Sequence, residues 1–235
     1  MAIRIEVGTT YYRDLNEQIR AGVRGGETDF VLTKVYGQRY IGDALRAPVH
    51  IDITGTPGND MAAFMDGCTI EVHGNAQDQV GNTMNDGAIV IHGRCGDATG
   101  YGMRGGSIFV RDDCGWRNGI HMKQYQEKCP VLVIGGDAGS FLGEYMAGGI
   151  ILLMGHAGHY LANGMHGGVI YLAHAIDEAD VNPQLAQEEL DERDRVVVQG
   201  LIDEYNAHFG TNRTLDDGFK RLRPKSSRPY GGMYT

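Results

Sequence analysis

The chain has 235 residues, with 36 glycines and a formal net charge of −9 at pH 7. The negative charge argues against a nucleic-acid or anionic-membrane partner that is recruited by bulk electrostatics. No apolar run approaches about 18 residues and no secretory signal pattern is visible, so we expect a cytoplasmic protein.

The first segment, residues 1–47, is predicted to cap one end of the repetitive region that follows it. Asp14 and Glu17 have the spacing of an N-terminal helix cap, and the helix is predicted to continue to Val23, before two glycines. Phe30–Val35 has the composition of a strand. Because solenoids need covered ends, we interpret this segment as a helical cap with an irregular first coil.

The central segment, residues 48–175, repeats itself with a period of 19 residues, which lengthens once to 24. Six methionines mark the period, a small residue stands three positions before each, and an apolar pair recurs once per period. The methionines are Met65, Met84, Met103, Met122, Met146 and Met165. The small residues are Ala62, Gly81, Gly100, Gly119, Gly143 and Ala162. The pairs are Ile51/Ile53, Ile70/Val72, Ile89/Ile91, Ile108/Val110, Leu132/Ile134, Ile151/Leu153 and Ile170/Leu172.

A period near twenty with one short strand per repeat is typical of a solenoid, whose stacked coils share a continuous core. We therefore predict an all-β fold, a single-stranded parallel β-helix of about seven coils. The methionines are expected to form an inward ladder and the glycines to form corners. The five extra residues fall in segment 123–129, which is predicted to be a polar surface loop.

The last segment, residues 176–235, is predicted to form a helix followed by an extended arm. Asn182 and Pro183 suit a helix start, and an apolar stripe follows as far as His208. The arm, from Phe219 onward, either packs on its own coils or reaches a partner. We favour the partner, and expect the arm to have no role in closing the coils. The candidate partner contacts are Arg221, Arg228, Tyr230 and Tyr234.

A glycine pattern at Gly100, Gly102 and Gly105 fits the letters of a dinucleotide-binding fingerprint. That fingerprint needs a helix after the glycines, whereas here a strand is predicted to follow. The glycines are therefore interpreted as corners of the coil.

Histidines and aspartates recur at fixed coil positions. His73 and His92 share one position, and three more histidines, His156, His159 and His166, are close in sequence near the last coils. No carboxylate or cysteine stands beside them at ligand spacing, so we predict no metal-binding, cofactor-binding or catalytic residue in the chain. Asp60, Asp78 and Asp97 lie near corners, where we expect them to cap exposed backbone amides.

Whole coils resemble the glycine-rich GXGXG domain of glutamate synthase. The matching stretches are 55–67, 74–87, 143–149 and 162–168, and the resemblance covers about residues 1–172. It implies a right-handed parallel β-helix without a known catalytic residue. In that family glutamine hydrolysis belongs to an amidotransferase domain, and the reductive transfer to 2-oxoglutarate belongs to a domain that carries FMN and iron–sulfur clusters.

The resemblance is to the stand-alone, archaeal-type form, in which glutaminase, synthase and β-helix are separate polypeptides. It implies a non-catalytic structural subunit that scaffolds the glutaminase and the FMN/iron–sulfur synthase subunits, with no cofactor of its own. Residues 176–235 depart from the fused domain. The same β-helix also resembles the scaffold subunit of formylmethanofuran dehydrogenase or of a formyltransferase/hydrolase complex, and an N-methylglutamate synthase subunit, which remain alternatives. A self-sufficient hexapeptide acyltransferase is disfavoured because a six-residue apolar period is absent, and a polysaccharide-active enzyme because no cleft of carboxylates is visible.

Overall fold

The computed structural model describes residues 2–216 and 218–227, which form one eleven-stranded sheet and two helices. Three of the predicted partner contacts, Arg228, Tyr230 and Tyr234, lie outside the described residues. The elements in chain order are β1 Ile3–Glu6, α1 Tyr12–Arg24, β2 Asp29–Tyr36, β3 His50–Thr56, β4 Asp66–His73, β5 Asp86–Ile91, β6 Ser107–Val110, β7 Val131–Ile134, β8 Ala147–Leu153, β9 Gly167–Leu172, β10 Leu185–Glu189, α2 Glu192–Phe209 and β11 Lys220–Pro224.

Strands β1 to β9 lie side by side in chain order, and each pairs with the next in parallel. A second line of parallel bridges joins Cys95, Cys114, Ala138 and Ala157 on another side of the coils. The predicted parallel β-helix is therefore confirmed. It has about eight turns in place of seven, since β1 and β2 add to the strands that the apolar pairs predicted.

The interior contains the predicted apolar pairs and the six methionines, all of them buried. Methionine fills space that a glycine of the next coil leaves open. A Cβ added at Gly106 would lie 2.5 Å from the Cε of Met84. At the corners the small residues have a left-handed backbone, and a Cβ added at Gly119 would lie 2.6 Å from the Cδ1 of Ile151. The repeat is thus a packing rule between coils.

Helix α1 closes the N-terminal end of the solenoid with Leu15 and Ile19, which are buried in the same core cluster as the strands. The helix begins two residues earlier than predicted, at Tyr12, and its N-cap Tyr11 makes no side-chain capping bond. Asp14 lies within the first turn, where its charge suits the helix dipole.

The C-terminal segment differs most from its prediction. The stretch after Pro183 forms strand β10 and not a helix, and α2 starts at Glu192 behind a capping box made by Asp191 and Asp194. The expectation that the arm has no role in closing the coils is wrong for Lys220–Pro224, because this stretch is β11. β11 lies antiparallel between β9 and β10, where it covers the last parallel edge.

Candidate functional site

The outward face of the sheet is divided into a covered half and an open half. One outward row crosses the sheet from β3 to β9, and its members change from charged to apolar. Helix α2 packs on the apolar members through Val198, Ile202 and Tyr205. The charged end of the row, on β3 and β4, has no helix over it in this cluster. The row is Asp52, Glu71, Val90, Phe109, Val133, Leu152 and Tyr171.

Three histidines and two carboxylates meet at this open end, and we call them the polar cluster: His50, Asp52, Glu71, His73 and His92. The Nε2 of His73 lies 2.9 Å from the Oδ2 of Asp52, and the Nε2 of His92 lies 2.7 Å from the Oε1 of Glu71. The two hydrogen-bonded imidazole rings are 5.0 Å apart. The prediction that no carboxylate accompanies these histidines is wrong, because the partners stand on the preceding coil.

Ligand-type atoms within the polar cluster come within 4.8 Å of one another in two overlapping groups, Glu71 with His73 and His92, and Glu71 with His50 and Asp52. Among the residues that the structure describes, these are the groups of three or more such side chains. The histidines near the last coils belong to neither group. There His156 stacks on His174 at 4.2 Å, and the Nδ1 of His166 is 3.2 Å from the carbonyl oxygen of Gly164.

The corner aspartates have the structural role that the sequence predicted for two of them. Asp78 accepts a hydrogen bond from the backbone N–H of Asp97, which in turn accepts one from the backbone N–H of Trp116. Asp60 differs, since its carboxylate accepts from the side-chain amide of Asn82. These bonds satisfy backbone amides between coils and leave Asp78 and Asp97 committed to the scaffold.

A run of exposed aromatic and cationic side chains follows the corners of five successive coils, and we call it the aromatic face. Several members stack in pairs: the rings of His121 and Tyr145 are 5.3 Å apart, those of Phe141 and Tyr160 are 4.9 Å apart, and the Arg117 guanidinium lies over Phe141. The sequence analysis missed this surface. Its members are Tyr101, Trp116, Arg117, His121, Phe141, Tyr145 and Tyr160.

The aromatic face is unusual in backbone as well as in exposure. Arg117, His121, Phe141, Tyr145 and Tyr160 all have φ between 52° and 67°, which is a left-handed conformation that large side chains seldom adopt. Glycine would be the low-strain choice at such corners. The chain instead holds aromatic rings outward there, and Tyr160 is 68% exposed. Such a row of rigid exposed rings suits contact with another protein.

An open cavity of about 670 Å³ adjoins one end of this face. It lies between the last coil and the segment before β10, and its lining includes Tyr160, Leu161, Ile176, Val181 and Leu185. Since Tyr160 belongs to both features, the cavity and the aromatic face form one continuous surface. The cavity could receive an apolar side chain from a bound partner.

Arg221 is held within its own chain. Its guanidinium lies 2.8 Å from Glu188, 2.8 Å from Asp191 and 2.6 Å from Asp194, and these hydrogen bonds, that with Glu188 foremost, raise the pKa of Arg221. The hydroxyl of Tyr171 also donates to Asp194. As a contact with a partner, Arg221 stays a prediction, whereas its role in joining β11 to α2 is evident from these bonds.

Comparison with known proteins identifies the family. The family described as GXGXG motif matches residues 25–223. The chain belongs to the GXGXG family. An uncharacterized protein of Methanocaldococcus jannaschii is similar to it, with 43% identity over 249 residues, which cover 98% of this chain and 95% of the relative. The GXGXG domain is found in glutamate synthase-related proteins.

The extent of this GXGXG match corrects one expectation. The matched range ends at residue 223, so it includes β10, α2 and most of β11, which the sequence analysis set apart as a departure from the family. The C-terminal layer is therefore part of the GXGXG unit of this chain. Neither α1 nor α2, the helices of the described segments, has the length and apolar character that crossing a membrane requires.

Proposed function

We propose that this GXGXG chain is a non-catalytic structural subunit of a multi-subunit glutamate synthase, which makes glutamate from glutamine and 2-oxoglutarate. Its partners would be a glutaminase subunit and a synthase subunit that carries FMN and iron–sulfur clusters. Family membership over most of the chain supports the proposal, since GXGXG domains occur in glutamate synthase-related proteins. The observation that carries it furthest is the aromatic face, a built contact surface on a rigid solenoid.

The aromatic face has the features of an interface centre. Aromatic residues and arginine are enriched at energetic hot spots, and Trp116 and Tyr160 are 53% and 68% exposed. Stacking with neighbouring coils limits their conformational freedom before binding, so little entropy is lost when a partner contacts them. A β-helix presents such a row at a fixed spacing along its length, which suits the alignment of two partner subunits.

The proposal is tested by binding between the purified chain and the FMN-containing synthase subunit of the same organism. Trp116→Ala and Tyr160→Ala are each expected to raise the Kd at least about tenfold, as for hot-spot aromatics. The matched control is Tyr36→Ala, which removes an equally exposed ring at the other end of the sheet, on β2, and should leave the Kd unchanged.

Isothermal titration or surface immobilisation measures the three affinities. Equal affinities for all variants would reject the aromatic face as the contact surface. Failure of the parent chain to bind the synthase subunit, together with tight binding to a formylmethanofuran dehydrogenase subunit, would replace glutamate synthesis by formyl transfer as the setting of the scaffold.

A further inference from the structure

The polar cluster has the composition of a transition-metal site. We propose that Glu71, His73 and His92 bind one divalent ion of the zinc class, with Asp52 completing the site. Imidazole nitrogen and carboxylate oxygen are the ligands that zinc takes in sites with three protein ligands. Each residue offers one ligand atom, and the atoms of Glu71, His73 and His92 lie within 4.8 Å of one another.

The sheet places these groups where an ion can bind them together. Glu71 and His73 are two residues apart on β4, so they share its outward face, and His92 follows β5 on the next coil. Ligand bonds to zinc are about 2 Å long, so facing ligand atoms stand about 3–4 Å apart. Small rotamer changes in side chains on a fixed backbone achieve that separation. Strand positions in a paired sheet supply the rigidity that a preorganised site needs.

The charges of the polar cluster also favour a bound cation. Its two carboxylates face each other in register on β3 and β4. The ion pairs that the structure shows for Asp52 and Glu71 are with His73 and His92. Either protonated imidazoles or a metal ion balances this charge. Because Asp52 contacts the His73 ring, it can also orient that ligand, as a carboxylate does beside many metal-bound histidines.

The surroundings leave one side of the site open. The ring of Phe209, at the end of α2, meets His92 edge-on at 5.1 Å and shields that side. The side chain of His73 is 43% exposed, so the opposite side faces solvent. A site with three protein ligands and an open position can take water or a small anionic molecule as its fourth ligand. The inference concerns this chain alone and is independent of the proposed scaffold role.

The test is zinc binding to the full chain after treatment with a chelator. Calorimetric titration with a zinc salt is expected to show one site per chain with a Kd at or below the micromolar range. His73→Gln and Glu71→Gln should each weaken binding at least about a hundredfold, and Asp52→Asn about ten- to a hundredfold. His156→Gln is the matched control, because it alters a stacked histidine pair outside the polar cluster and should leave the affinity unchanged.

Cobalt substitution gives an independent signature. Cobalt bound by these nitrogen and oxygen ligands should show visible absorption that His92→Gln abolishes, while circular dichroism verifies that each variant remains folded. The proposal is overturned if zinc fails to bind at micromolar concentration, or if the affinity and the cobalt spectrum survive His73→Gln and His92→Gln. Cys129→Ser, which removes a partly exposed thiol, should change neither result.

Discussion

The packing rule between coils predicts that Gly119→Ala is strongly destabilising, for two separable reasons. Gly119 has a φ of 68°, and an added Cβ would lie 2.6 Å from the Cδ1 of Ile151, which belongs to the strand β8. A left-handed backbone costs a residue with a Cβ about 1–2 kcal/mol. Overpacking an ordered core adds about 1–3 kcal/mol. The expected loss in the free energy of unfolding is therefore about 2–5 kcal/mol.

Gly100→Ala is the control that isolates the backbone contribution. Gly100 has nearly the same φ, 72°, but the atom nearest to an added Cβ is the Cδ2 of Leu132 at 3.8 Å, which is an ordinary contact. Its substitution should cost about 1–2 kcal/mol, from conformation alone. The difference between the two variants measures the steric contribution.

The steric contribution can be removed by a second substitution. Ile151→Val deletes the clashing Cδ1 and should itself cost about 1 kcal/mol. In the double variant the clash is gone, so the loss should be smaller than the sum of the two single losses by about 1 kcal/mol or more. Urea unfolding followed by far-ultraviolet circular dichroism provides the comparison. Strict additivity, or equal losses for Gly119→Ala and Gly100→Ala, would refute the packing rule.

Three further predictions follow from the described contacts. Met84→Asp buries an unpaired charge in the apolar interior and should cost several kcal/mol or prevent soluble expression, whereas an unchanged melting temperature would place this side chain in solvent. Deleting 219–235 removes β11 and should lower the melting temperature, whereas deleting 228–235 retains β11 and should lower only the affinity for the synthase subunit; the reverse pattern would contradict both roles. The pKa of Asp191 is lowered, first by the Asp194 backbone N–H and then by Arg221, so its stabilisation is present above the usual carboxyl pKa and lost below it; the melting-temperature loss in Asp191→Ala should therefore shrink between about pH 7 and about pH 3, and a constant loss would exclude this linkage.

The parallel coils were predictable because their pairing partners stand at one fixed separation in the sequence. Ile70 and Ile89 are 19 residues apart and are neighbours in the sheet, as are Ile89 and Ile108. A single period therefore specifies strand, register and inward side together. The extra turn at the N-terminal end escaped because β2 pairs with β3 through a bulge after Leu32, which breaks the period.

The polar cluster escaped because its contacts are diagonal. His73 meets Asp52, and His92 meets Glu71, each across 21 residues, which is one coil plus the two-residue step of a strand face. Searching at 21 residues as well as at 19 would have found both pairs. The histidines alone, compared only at identical coil positions, gave no sign of their carboxylate partners.

The C-terminal layer was the least predictable part because its pairing is antiparallel and outside the period. β11 pairs with β10 over about 30 to 40 residues that contain α2, and no repeat specifies that distance. Two helix-start signals also competed: Asn182 with Pro183, and the capping box at Asp191 and Asp194. The second is the true start, since both of its reciprocal hydrogen bonds form.

The central claim is that this GXGXG chain organises a glutamate synthase without catalysing a step. The most direct measurement is glutamate formation from glutamine and 2-oxoglutarate by the purified glutaminase and synthase subunits, with and without the chain at equal molar amounts. We predict that adding the chain increases the rate at which glutamine nitrogen appears in glutamate, that Trp116→Ala reduces this gain, and that the chain alone forms no glutamate. Glutamate formation by the isolated chain, or an identical rate with and without it, would contradict the account.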